Sequence, residues 1–113
     1  MNHHVVEVFT AHSLLSRARG LIRKPPLPRF VALHLKPCWC IHTAWMQRPI
    51  DVVFLDGRHA VIKVVDRLHP WRLSAHRSAS SVLELNAGEA GRLRFRSGDT
   101  LVLKEAARDA HGG

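Results

Sequence analysis

Ile50-Asp51-Val52-Val53-Phe54-Leu55, followed at once by Asp56-Gly57 and then by Ala60-Val61-Ile62-Lys63-Val64-Val65, decides the fold class. The first run is apolar at five of its six positions. A run this short and continuous, bounded by turn residues, reads as a strand buried on both faces. Asp-Gly between two such runs is a hairpin signal, because both residues tolerate positive φ.

Working outward, further strands are expected at His4–Phe9, Phe30–Leu35, Trp39–His42, Ser81–Leu85 and Thr100–Leu103. One segment changes period. Leu14, Leu15, Ala18, Leu21 and Ile22 follow the spacing of one helical face, with Thr10 or Ser13 as the cap. Gly20 weakens that helix, and Pro25, Pro26 and Pro28 stop it by Lys24. Leu68–Ser80 reads as a long polar surface loop and Ala87–Gly91 as a turn or a single helical turn. The expectation is a mainly β (α+β) domain: a compact antiparallel barrel or sandwich with one early amphipathic helix and a short helical turn. Such a small domain closes its sheet or covers its edges. Residues 1–113 form one domain on this reading, with its core in 13–103 and a frayed tail over 104–113.

Composition bounds the function. The 113 residues are 46% hydrophobic and 23% charged, which excludes a disordered or collagen-like chain. No stretch reaches the roughly 18 to 20 apolar residues of a membrane helix. Met1-Asn2-His3-His4 lacks the cationic and apolar regions of a secretory leader, so a cytoplasmic location is expected. Seventeen Lys and Arg against nine Asp and Glu give a net charge of +8. Residues 1–50 hold seven basic groups against Glu7 alone, with Arg17, Arg19, Arg23, Lys24 and Arg29 clustered. That field attracts anions, but without a reading element it does not specify nucleic acid.

An ordered series of motifs carries a family likeness. Arg19-Gly20-Leu21-Ile22 is followed by Cys38 through His42-Thr43, Met46, Pro49-Ile50-Asp51-Val52-Val53-Phe54-Leu55-Asp56, Leu83-Glu84-Leu85-Asn86-Ala87-Gly88 and Gly98-Asp99. Over about Ser13–Leu103 the chain resembles the prokaryotic family called domain of unknown function 192. The resemblance implies a mostly β single-domain fold and no established reaction, cofactor or partner. Asn86 stands where relatives usually have proline and Ile22 where many have methionine. Many relatives resemble exported proteins, so localisation does not carry over from them.

Three groups of residues carry candidate chemistry. Cys38, Cys40 and His42 are zinc-type ligands. On one extended strand, however, Cys38 and His42 stand about 13 Å apart, so at most two of the three, with His34, His69 or Asp51, could meet a single ion. Cys38 and Cys40 lie about 6.6 Å apart with nearly parallel Cβ vectors, so a disulfide is strained and reduced thiols are expected. Packing is therefore favoured over zinc, no metal site is preferred, and no cofactor is expected. His42, Thr43 and Asp51 form the best polar trio: a carboxylate beside an imidazole suits a general base. The same residues serve as buried staples on backbone groups, and that reading is favoured. Trp45, Arg48, Trp71 and Arg72 place aromatics beside arginines in two loops, a pairing suited to stacking on a sugar or base. Glu84 alternates away from Leu83 and Leu85, so it either faces water, the commoner case, or lines a cleft.

The preferred function is a non-enzymatic binding module presenting loops 43–49 and 67–77 to an anionic small molecule, carbohydrate or protein partner. The alternatives are a small hydrolase or metal-assisted enzyme centred on His42 and Asp51, and a nucleic-acid accessory protein.

Overall fold

The computed structural model describes residues 3–11, 31–43 and 48–106. The elements run β1 (His3–Ala11), β2 (Val31–Leu35), β3 (Cys40–His42), β4 (Ile50–Leu55), β5 (Val61–Leu68), β6 (Leu73–Ala75), β7 (Ser81–Asn86), α1 (Glu89–Arg92) and β8 (Thr100–Glu105). Six strands form one sheet in the order β5-β4-β7-β2-β1-β8, and β3 pairs with β6 in a separate ribbon. The protein is mainly β.

Strand β4 is buried at all six positions. Its alternation feeds two cores, one on each face of the sheet. Ile50, Val52 and Phe54 pack with Leu33, Leu35, Val82 and Leu68, under a lid formed by Ile41 and Cys38. Val53 and Leu55 pack on the other face with Val6, Val8, Ala32, Leu83 and Leu101. β4 lies between β5 and β7 and pairs antiparallel with both. Burial on both faces and both edges is why its sequence carries no exposed position.

The β4–β5 hairpin forms as expected, but its turn works differently. The positive φ falls on His59 (64°), not on Asp56 or Gly57. Asp56 acts through its side chain: Oδ1 accepts the N–H groups of Arg58 at 2.8 Å and Ala60 at 2.9 Å. Those two bonds hold the Asp56 carboxyl below its ordinary value.

Three expectations need correction. The sheet is mixed, because β1 runs parallel to both β2 and β8. Parallel neighbours need a crossover of a dozen or more residues, unlike the short hairpins that an antiparallel reading assumes. The predicted helix Leu14–Ile22 and the proline-rich stretch fall in that connection and lie outside the described residues. Second, the sheet is not a closed barrel: β5 and β8, its two edges, meet at the isolated bridge between Ala60 and Thr100. Hydrogen bonds from Val61 N–H to Asp99 O (2.7 Å) and Leu101 N–H to His59 O (2.9 Å) fix that meeting point. Third, the 68–80 loop contains β6, and the tail is held as far as Ala106, whose N–H donates to Val8 O at 2.7 Å. Residues 107–113 lie outside the described residues. No helix among the described residues is long and apolar enough to cross a membrane.

Candidate functional site

Asp51, near the start of β4 and on the same face as Val53 and Leu55, has no exposed surface. Between the pairs Ile50–Leu68 and Val52–Val65 the β4–β5 register shifts, a bulge that puts Arg67 at φ 56°. A bulge leaves a backbone donor without a ladder partner, and Asp51 Oδ1 accepts that Arg67 N–H at 2.8 Å. Its Oδ2 accepts the Ala90 N–H, in the first turn of α1, at 2.8 Å. Helix starts leave such donors unpaired, and the capping residue here is Gly88 (φ 93°), which has no side chain to offer. One carboxylate therefore satisfies two buried donors far apart in sequence. Burial pushes the Asp51 carboxyl above its ordinary value, while the bonds from Arg67 and Ala90 pull it back.

Thr43 is a second polar node, also without exposed surface. Its hydroxyl donates to His69 O at 2.6 Å and accepts the Arg72 N–H at 2.9 Å. Its backbone pairs with the same turn: Thr43 N–H donates to Arg72 O, and Trp71 N–H donates to Thr43 O. The turn is His69-Pro70-Trp71-Arg72, with proline second and a positive φ of 62° at Trp71. Glycine usually fills that third position, since a side chain there is strained. Here a tryptophan holds it, 60% exposed, with Arg72 exposed beside it.

The ribbon extends this surface. His42 pairs with Leu73 and Cys40 with Ala75, while Ile41 and Ser74 point inward and are buried. Leu73 (67%) and Trp39 (57%) are exposed, as is His42. The Trp39 carbonyl accepts the His76 N–H at 2.9 Å, which continues the pairing one step beyond Cys40 and Ala75.

The sequence-chosen residues thus separate. Thr43, Trp71 and Arg72 come together. Among the described residues no hydrogen bond joins Asp51 to His42 or to Thr43. Cys38 is buried and its thiol donates to Cys40 O at 3.3 Å; both cysteines are free. The strand begins at Cys40, so Cys38 and His42 do not share one extended segment. No group of three His, Cys, Asp or Glu side chains able to hold a metal ion occurs among the described residues. Glu84 is fully buried, against the expectation that it faces water, because β7 lies between β4 and β2 with Val52 and Leu33 opposite it. Arg48 is exposed, and Trp45 lies outside the described residues.

His34, which the sequence offers only as a helper ligand beside the cysteines, lies elsewhere. A cleft of about 460 Å³ opens beside β1, β2 and β8, with His34 and His59 on its wall. His34 interrupts the apolar run Val31-Ala32-Leu33-His34-Leu35, and that break in pattern is its signal in the sequence.

Comparison with known proteins agrees with this architecture. The profile of DUF192, described as "Uncharacterized ACR", matches residues 1–103. The UPF0127 protein PH1112 of Pyrococcus horikoshii is 38% identical over 72 residues, covering 59% of this chain. The match spans 60% of that protein's length. A protein of unknown function from Novosphingobium aromaticivorans superposes with a TM-score of 0.68 at 21% identity, over 80% of this chain and 70% of that one. A Sinorhizobium meliloti protein, provisionally described as a transcription regulator, gives 0.72 at 20% identity over 80% and 76%. At such identities the likeness is one of fold. From the family match and its ordered motifs, this chain belongs to the uncharacterised DUF192 (UPF0127) family.

Proposed function

We propose that this protein is a non-enzymatic binding module that takes an anionic ligand or partner on the Trp71–Arg72 turn and the adjoining ribbon. The observation that carries the reading is the backbone of Trp71. An exposed tryptophan at φ 62° costs on the order of 1–3 kcal/mol relative to a relaxed residue, and such strain gathers at functional sites. A buried threonine holds the turn from both sides, so the indole and the guanidinium are presented in one arrangement rather than many. Preorganisation of this kind lowers the ordering cost of binding. An aromatic face beside an arginine suits an anion carried on a flat or sugar-like body. The surplus of +8 favours the same sign of partner. Asp51, with both oxygens on backbone donors, serves the fold in this reading rather than a reaction.

The test is a titration followed by tryptophan fluorescence, with pyrophosphate, a sulfated oligosaccharide and a Glu-rich peptide as probes. The parent is expected to bind at least one of them, more weakly as salt rises. Trp71→Ala and Arg72→Ala should each weaken that binding by about tenfold, or about 1.4 kcal/mol. Equal affinity in both variants, or no binding of any probe, would overturn the proposal.

A further inference from the structure

We infer that the cleft beside β1, β2 and β8 is a separate binding site for a small monocarboxylate with an apolar body. Its volume of about 460 Å³ lies within the range of small-molecule sites, roughly 300–1,000 Å³. Its lining, taken over the described residues, is divided by chemistry. Val8 and Leu103 supply an apolar floor that continues the second core. His34 on β2, Lys36 just after it and His59 in the β4–β5 turn line the same space.

The acid in the lining is already held. Glu105 Oε2 accepts the Thr10 hydroxyl at 2.7 Å, and Oε1 accepts the Thr10 N–H at 2.9 Å. That clip fixes the Glu105 carboxylate against β1 with its charge in place, so Lys36 is the cation of the lining that an incoming anion meets.

The fold fixes these groups by independent means. His34 is buried and its ring meets that of His59 edge to face at 5.7 Å. His59 owes its place to the junction of the sheet edges. Its backbone takes φ 64°, and its carbonyl accepts the Leu101 N–H at 2.9 Å, seating it above β8. The cleft runs along β1, β2 and the far half of β8, and His59, next to the bridge residue Ala60, adds an imidazole to one wall. An apolar floor with a few convergent polar groups is the arrangement that orients a small amphipathic ligand.

The probe is hexanoate, with hexan-1-ol as its uncharged control, followed by NMR of the methyl and imidazole signals. The parent should show saturable shifts at Val8, Leu103, His34 and His59 with hexanoate, at about millimolar affinity. Hexan-1-ol should bind about tenfold more weakly. Lys36→Gln changes an exposed side chain, and His59→Gly keeps the positive φ without the imidazole; both should fold and both should weaken hexanoate about tenfold. Trp71→Ala should leave it unchanged, which separates this site from the turn. Absence of saturable shifts, equal binding of the alcohol, or undiminished binding in both variants would each overturn the inference.

Discussion

Asp51 and Thr43 use the same chemistry for different ends. Each is a fully buried polar side chain that satisfies backbone groups beside a residue of positive φ: Arg67 and Gly88 near Asp51, Trp71 beside Thr43. The Asp51 bonds close a bulge and a helix start: Ala90 is buried, while Arg67 stands exposed beside Asp66. The Thr43 bonds hold a turn whose two leading side chains are exposed. In the first region the positive-φ residue is an exposed arginine next to an acid; in the second it is an exposed indole next to an arginine. On the proposed reading, Asp51 serves the fold and the Thr43 turn presents its side chains.

The sharpest way to break that assignment is Asp51→Ala. It leaves the Arg67 and Ala90 donors unpaired, and each buried orphan costs about 1–3 kcal/mol, so a loss of about 2–4 kcal/mol is expected in urea unfolding. A loss below about 1 kcal/mol would remove Asp51 from the fold's support. The pH dependence sharpens the same point. The folded carboxyl titrates above its unfolded value of 3.8, so the native state holds the proton more tightly. Stability from this group is therefore greatest below 3.8 and falls as pH rises through the raised folded value. Asp51→Asn has no such titration, and the stability gap between parent and variant should narrow across that window. A widening gap would contradict the sign.

Thr43→Val tests the other node. Removing the hydroxyl leaves the Arg72 N–H without its partner and should cost about 1–2 kcal/mol. Its second signature is weaker anion binding, with Trp71 and Arg72 both still present. Stability lost with affinity intact would make Thr43 a staple like Asp51. The smallest effect is expected at Trp71 itself. Trp71→Gly should be more stable than Trp71→Ala by about 1 kcal/mol, because glycine accepts φ 62° and alanine does not. Equal stabilities would mean that the turn relaxes when the indole is removed.

How far the sequence foretells this arrangement depends on the range of each interaction. β4 is legible residue for residue, since burial on both faces leaves a continuous apolar run. Asp56-Gly57 correctly signals a hairpin, yet the positive φ sits at His59, because a side-chain acceptor on Asp56 sets the turn geometry. Parallel pairing of β1 with β2 was available in principle: a strand, a helical period and a strand form the signature of a crossover. An antiparallel expectation hides it. β6 is three residues long with one buried position, too short for alternation to distinguish it from a loop. The burial of Glu84 and the partners of Asp51 depend on strands distant in sequence, and no local pattern carries them. Trp71 and Arg72 were legible as an aromatic–arginine pair, while the strain that marks them is a property of the backbone alone.

The most direct measurement pairs unfolding and anion titration on Trp71→Gly. If the turn exists to present its side chains, the variant should unfold with a free energy equal to or above that of the parent. Its affinity for the best-bound anion should fall by about tenfold. A variant that loses more than about 1 kcal/mol of stability while binding as the parent does would contradict the account.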